Sequence, residues 1–275
     1  MDWIALWRHL VELGEDRRQH EQQEKACDFW QGNAEEFNQR VRQRWQQRDS
    51  SRDFLLQTLN TFPDSTVLDI GAGTGDWAIW MARHAKSVTA LDPSPSMLNL
   101  CRKNVQLAGL SNISFIDGAW PYAQAGVYDI CISSHAMYGV ADFPGFIVAM
   151  QKAARKRCIL LIRAPHPDGI MGKASRLVLG HPYDSPNFQI AYQILLEMGI
   201  FGNVLFEESR LWKPWRSPSL EAALQDLKSR LGISHDPGWD AQLTDILNQN
   251  IQWEDGMVIW PRAVRTALIW WNIDS

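Results

Sequence analysis

The apolar positions change their period along this chain. Near the start, Trp3, Leu6, Trp7 and Leu10 recur three and four residues apart. That spacing puts them on one face of a helix and predicts a segment that docks on an apolar surface, as a lid or as a packed cap. Helical periodicity continues between Phe29 and Leu59, with Phe37, Val41 and Trp45 on one stripe and Arg40, Arg44, Arg48 and Arg52 on another. From residue 66 the pattern becomes one of short, unbroken apolar runs: Thr66 to Ile70, Ser87 to Leu91, Ile113 to Ile116, Tyr128 to Ile132 and Cys158 to Ile162. Runs of this length without alternation predict strands buried on both faces. Helix-length segments separate them, among them Asp76 to His84 and Pro95 to Leu107, the latter followed by Gly109. Strand and helix in alternation make a parallel sheet with right-handed crossovers.

Beyond residue 164, Pro165, Pro167, Gly169, Gly172, Gly180, Pro182 and Pro186 cluster, which predicts a long connection. Asn187 to Met198 then reads as a helix, Asn203 to Trp212 and Ala263 to Trp271 as strands, and Ser219 to Leu231 as a helix inserted between those strands.

Composition narrows the function classes. With 275 residues, 45% hydrophobic and 21% charged, the chain has enough apolar material for a sizeable core, which excludes global disorder. A formal net charge of -4 supplies no broad positive field for a polyanion, so nucleic acid is not expected as a partner. Cys27, Cys101, Cys131 and Cys158 form no paired-cysteine motif and read as buried thiols in a reducing compartment, and no histidine spacing points to a metal site. The opening Met1-Asp2-Trp3 lacks the basic start and apolar stretch of a signal peptide, and no apolar run reaches the ~18 residues that span a bilayer. The expectation is a cytoplasmic protein with no membrane partner. Only Trp77, Trp80 and Trp120 of the 14 tryptophans lie between residues 66 and 165; their crowding outside that core points to a flat apolar or cationic substrate.

The chemistry concentrates where the first strand ends. Val67-Leu68-Asp69-Ile70 runs into Gly71-Ala72-Gly73-Thr74-Gly75 and then a helix, so the backbone can turn sharply and approach a ligand. The next strand ends at Asp92, 17 positions after Gly75, where a carboxylate suits the hydroxyls of a ribose. A dinucleotide-binding loop would place glycine or alanine three residues after Gly73; here Asp76 stands there. Its charge at a helix start repels a pyrophosphate and tolerates a ligand carrying a sulfonium and an ammonium.

These residues resemble the class I S-adenosylmethionine-dependent methyltransferases, in particular the small-molecule branch. The likeness runs well from Thr66 to Arg163. It implies a Rossmann-like α/β fold: a seven-stranded, mostly parallel sheet with helices on both faces, an N-terminal helical segment and an inserted helical cap. The corresponding division is 1–65 for the N-terminal helical cap segment, 66–165 for the cofactor-binding core, and 166–275 for the substrate cap with the last two strands. S-adenosyl-L-methionine is the implied cofactor. The resemblance places Asp69 near its methionine end, Gly71, Ala72, Gly73 and Gly75 beneath it, Asp92 on the ribose with Pro93 beside it, and Met97 against the adenine. Asp117, with Gly118 and Ala119, falls where the family holds the adenine amine, although the usual order there is glycine then aspartate. Ser134 and His135, at the end of the fourth strand, fall nearest the reacting methyl.

The acceptor is left open. A hydroxyl or protonated amine would need a base, for which His135 and Tyr138 are the candidates. Arg44 and Trp45, on the arginine-bearing stretch, are candidates to bind substrate; the stripe reads equally as a solvated helix face or as a cationic wall for a carboxylate. The leading reading is methyl transfer to a small molecule by in-line displacement. The alternatives are a catalytically silent S-adenosylmethionine-binding sensor or partner, and a nicotinamide-dependent oxidoreductase, which Asp76 disfavours. Ser133-Ser134-His135-Ala136 stands where an amino-methylating nucleic-acid enzyme would carry Asn/Asp-Pro-Pro-aromatic. Oligomeric state does not follow from the sequence.

Overall fold

The computed structural model describes residues 1–21, 28, 30–47, 49–207, 214–261 and 264–273. Cys27, Phe29, Arg48, Trp212 and Ala263, which carried parts of the sequence reading, lie outside the described residues. Helices α1 (Trp3–Glu21), α2 (Ala34–Trp45) and α3 (Ser50–Thr61) precede a run of β1 (Thr66–Ile70), α4 (Asp76–Ala82), β2 (Ser87–Asp92), α5 (Pro95–Leu107), β3 (Ile113–Asp117), β4 (Tyr128–Ser134), α6 (Phe143–Ala153) and β5 (Ala154–Pro165). There follow α7 (Ile170–Leu179), α8 (Phe188–Glu197), β6 (Asn203–Phe206), β7 (Arg216–Ser217), α9 (Leu220–Arg230), α10 (Asp240–Asn250), β8 (Gln252–Glu254), β9 (Met257–Ile259) and β10 (Val264–Asn272).

Seven strands form one sheet in the order β3-β2-β1-β4-β5-β10-β6. Its pairings are parallel except those of β10, which runs against both β5 and β6. Because side chains alternate across a strand, the apolar runs feed two cores. Leu68, Ile70, Cys131, Leu160 and Ile162 face one side, with residues of α1, α6 and α8. Val67, Ala90, Ile130, Ile132, Ile159 and Leu161 face the other, with residues of α3, α4 and α5. The order reverses between β1 and β4, which opens a crevice at the carboxyl ends of these two strands.

The sequence reading is corrected at three places. The proline- and glycine-rich stretch after residue 164 is not a plain connection: it contains α7, bounded by Gly169 and Gly180. Helix α6 was not expected; its buried Phe143, Phe146, Ile147 and Met150 have helical spacing, and Asp142 caps it by accepting from the Gly145 amide at 3.0 Å. The insertion between β6 and β10 is more than one helix. It holds α9, α10 and the small sheet β7-β9-β8, which share with α7 a separate core of Ile170, Ala174, Leu227, Leu243, Leu247, Val258 and Trp260.

Helix α1 is packed into the main core. Trp7 is fully buried, stacks on Phe143 at 4.3 Å between ring centroids, and donates its indole N–H to the Val140 carbonyl at 2.8 Å. Other described tryptophans sit in separate packing pairs, such as Trp45 on Trp77, Trp215 on Trp260 and Trp270 on Phe54. Among the described residues, no helix is long and apolar enough to cross a membrane.

If α1 is an integral part of the core, Trp7→Ala should cost about 3–5 kcal/mol in urea unfolding. Trp7→Phe should cost about 1–2 kcal/mol, chiefly for the Val140 carbonyl left without its donor. An unchanged midpoint for Trp7→Ala would show that α1 can leave without loss.

Candidate active site at the carboxyl edge of the sheet

The glycine loop is built by close approach. Gly71 and Gly75 have φ of 72° and 86°, and a Cβ there would lie 2.1 Å from the Ala136 Cβ and 2.3 Å from the Cys101 Sγ respectively. Only glycine meets both demands. The loop amides are turned inward: Gly71 and Ala72 donate to the Leu91 carbonyl at 2.7 and 3.0 Å, and Gly75 donates to the Ala72 carbonyl at 2.9 Å. Gly73 donates to the Asp92 Oδ2 at 2.8 Å. These donors are therefore committed and do not form the amide nest that would cradle a phosphate.

Asp92 ends β2 and is buried. Its second oxygen accepts from the Ser94 amide at 2.9 Å, so each oxygen carries one backbone bond and retains a lone pair for a ligand hydroxyl. Ser94 caps α5 and also donates to Asp28, whose carboxylate accepts from the Ser96 and Trp30 amides, both at 3.0 Å. Asp69, on β1, is 1% exposed, and its Oδ2 has no hydrogen-bond partner among the described residues. Burial, with Asp92 and Asp76 adding repulsion, pushes its carboxyl up to about 7. Asp76 is also raised by burial, and its carboxylate accepts from the Thr74 hydroxyl at 2.7 Å. Cys101, facing Asp69, Asp92 and Asp76, is raised to about 12, by burial first and these carboxylates second. A concentration of negative charge surrounds the loop, and its natural complement is a cation.

The other expected cofactor positions lie along the same edge. Met97 is buried against Trp30 and Phe37, with Ala34 and Leu100. Asp117 is exposed at the end of β3, in register with Asp92, and Gly118 donates to the Asp92 carbonyl at 3.2 Å. Pro93 and Ala119 are exposed on the flanking turns. Ser134 is half-buried at the end of β4, next to Ser133, which bridges to the Ile70 carbonyl at 3.1 Å.

A second polar cluster lies past β4. His135 adopts a left-handed backbone, φ 57°, and its amide still reaches the Leu161 carbonyl at 2.8 Å. Such a conformation at a branched-ring residue costs of the order of 1 kcal/mol and is held by its surroundings. Its Nδ1 lies 2.7 Å from the Tyr138 hydroxyl, which accepts from the Arg163 amide at 2.7 Å. Tyr138 is raised to about 12 by burial. Burial, helped by Arg44 and Arg163, holds the His135 imidazole well below its usual range, so it is neutral at physiological pH. Its Nε2 is 3.5 Å from the Thr266 hydroxyl.

Arg44 is drawn into this cluster: it pairs with the fully buried Glu207 carboxylate at 3.0 Å and with Asp49 at 3.8 Å. Glu207 also accepts from the Ser51 hydroxyl, and burial together with Asp49 raises its carboxyl. Trp45 goes elsewhere, edge-on to Trp77 at 4.8 Å with Arg52 over its ring. Thus Arg44 and His135 come together and Trp45 does not join them. Arg40 pairs with the exposed Glu36, as on a solvated helix face.

Helix α2 was expected near the acceptor; it also roofs the glycine loop. Phe37 lies 4.0 Å from where a Cβ of Gly73 would be. Arg42 donates to Asn104 at 2.7 Å, and Asn104 donates to the Thr74 carbonyl at 2.9 Å. Asp28, Trp30, Asn104, Arg163, Glu207 and Thr266 were not singled out from the sequence. The only local signal was Ser94-Pro95 after Asp92, a helix start whose cap draws in Asp28. Among the described residues, no three of His, Cys, Asp or Glu are grouped to hold a metal.

A sheet in this order, with a glycine loop after β1 and a carboxylate closing β2, defines a nucleoside-binding α/β domain. Residues 67–156 match the methyltransferase domain family. An uncharacterized protein of Haemophilus influenzae is 27% identical over 227 residues, 80% of this chain and 81% of that one. The demethylmenaquinone methyltransferase of Bacillus velezensis is 29% identical over 117 residues, 40% of this chain and 48% of that enzyme; the chain thus spans about half the length of that named relative. The YcgJ protein of Bacillus subtilis shares the fold with a TM-score of 0.52 at 16% identity, over 82% of this chain and 99% of that one. The matched segment is a methyltransferase domain, and its sheet order and glycine loop are those of the class I S-adenosylmethionine-dependent kind.

A carboxylate raised in the folded state releases its proton earlier in the unfolded chain, so it lowers stability as pH rises from its ordinary value to its folded one. For Asp69 that window runs from 3.8 to about 7. The unliganded protein should lose up to about 4 kcal/mol across it. Asp69→Asn should flatten the curve, leaving the smaller slope to which Asp76, Asp92 and Glu207 contribute. Parallel stability–pH curves for wild type and Asp69→Asn would show that Asp69 is not desolvated.

Proposed function

We propose that this chain transfers the methyl group of S-adenosylmethionine to a small-molecule acceptor, and that neither nucleic acid nor a membrane is its partner. The observation that carries the reading is the unpartnered buried oxygen of Asp69, set among Asp92, Asp76 and a loop whose named amides are already bonded. A buried carboxylate oxygen without a partner is costly, and an ammonium offsets that cost. A dinucleotide would instead bring a pyrophosphate to this negative edge.

In this reading Asp69 holds the cofactor's ammonium and Asp92 its ribose hydroxyls. Gly71, Ala72, Gly73 and Gly75 form the floor, and Pro93, Met97, Asp117, Gly118 and Ala119 flank the adenine. Ser134 sits between cofactor and acceptor. When bound, S-adenosylmethionine supplies a methyl carbon on a cationic sulfur, which the acceptor's lone pair displaces in line while the carbon–sulfur electrons return to sulfur.

The chain's own task is then positioning. His135 and Tyr138 receive the acceptor's proton where it has one to lose: the neutral imidazole is able to take it, and Tyr138, anchored by the Arg163 amide, orients the ring. In this reading the helical segments before β1 and after β5 close over the acceptor.

Calorimetric titration with S-adenosylmethionine, S-adenosylhomocysteine and NADH tests the reading. Micromolar binding of the first two is expected, with at least a tenfold loss in Asp92→Ala, worth about 1.4 kcal/mol. Binding of NADH alone, or of none of the three, would overturn it. Tight cofactor binding with no product from any acceptor would favour the catalytically silent sensor.

A further inference from the structure

Arg163 lies on β5 beside the proton-handling pair, and its side chain has no function in the scheme above. Its backbone amide anchors Tyr138, and its guanidinium lies over the Tyr138 ring, 5.2 Å from the centroid. One terminal nitrogen donates to the buried Ser185 hydroxyl. Its Nε is buried and has no hydrogen-bond partner among the described residues. No carboxylate among them comes within ion-pair distance of it. By contrast, Arg44, on the other side of His135, has Glu207 and Asp49.

The neighbourhood repeats the mismatch. Gln189, at the start of α8, donates to the Pro165 carbonyl at 2.6 Å, while its buried Oε1 also lacks a partner among the described residues. Ser185, already receiving from Arg163, gives its own proton to Asp184 at 3.2 Å. A guanidinium with a buried, unmatched donor costs folding free energy, and a hydrophobic or neutral side chain would avoid that cost. A planar fork is the side chain best suited to a carboxylate.

We propose that Arg163 is the specificity-determining residue of the acceptor pocket and that the acceptor carries a carboxylate, which this guanidinium binds while His135 and Tyr138 face the atom to be methylated. The proposal rests on the methyltransferase reading for the position of the pocket. It makes Arg163 a binding residue for an anionic acceptor, and it assigns Arg44, whose charge is already matched, to holding α2 in place.

The test uses the full chain saturated with S-adenosylhomocysteine and follows thermal unfolding. Small carboxylates of graded size, from acetate to benzoate and phenylacetate, are each compared with the matching carboxamide, with inorganic phosphate as a separate arm. At tenfold over Kd a bound carboxylate should raise the midpoint by about 3 °C. The amides should give no shift, Arg163→Gln should abolish the carboxylate shift, and Arg163→Lys should retain part of it. The shift caused by S-adenosylhomocysteine itself should be the same in all three proteins. The proposal is overturned if no carboxylate shifts the midpoint, if amides do as well, if phosphate alone does so, or if the effect survives in Arg163→Gln. Failure of S-adenosylhomocysteine to shift the wild type would instead remove the methyltransferase reading, which separates the two.

Discussion

Asp92 is the joint on which the cofactor side of the molecule turns. One oxygen takes the Gly73 amide and the other the Ser94 amide, so a single carboxylate fixes the turn after β1 relative to the turn that starts α5. Because it is buried, those two bonds act in a weak dielectric and have little competition from water. The Leu91 carbonyl next to it holds the Gly71 and Ala72 amides. The end of β2 therefore sets the shape of the loop after β1, and the glycines are what let the loop come close enough to be held.

The same arrangement concentrates charge. Asp69, Asp76 and Asp92 are all raised by burial, which means that the folded chain is strained electrostatically when they are ionised. A positively charged ligand relieves that strain, and an anionic one adds to it. Ligand choice here follows from desolvated charge as much as from shape. Past β4 the surroundings differ: burial, helped by Arg44 and Arg163, keeps the His135 imidazole neutral, and Arg44 is itself paired with Glu207 and Asp49.

What could be read from the sequence was what is local. Five apolar runs predicted five strands correctly, although β3, at the sheet edge, is only partly buried, and Gly71 to Gly75 with Asp92 marked the turns at the carboxyl edge. The helix α7 was hidden by the glycines and prolines at its ends, residues that serve equally as helix boundaries and as loops. The Arg44–Glu207 pair joins positions 163 residues apart, and no pattern along the chain announces it. Arg163 looks in sequence like the polar end of a strand; only the neighbourhood of Tyr138, Ser185 and Gln189 gives its charge a meaning. Trp45 shows the opposite failure, an aromatic at a suggestive spacing whose partner turned out to be Trp77.

Helix α2 ties the two sides together. Arg42 reaches, through Asn104, the carbonyl of Thr74 in the glycine loop, while Arg44, two residues on and pointing another way, reaches Glu207 at the far end of the sheet. Both anchors are polar and partly or wholly buried, so loosening one leaves unmatched groups and strains the other. A short helix pinned at both ends in this way gives the glycine loop and the His135 cluster one shared wall. Under the proposed function, a ligand that orders this wall at one cluster would lower the cost of ordering it at the other, a positive coupling that needs no large movement.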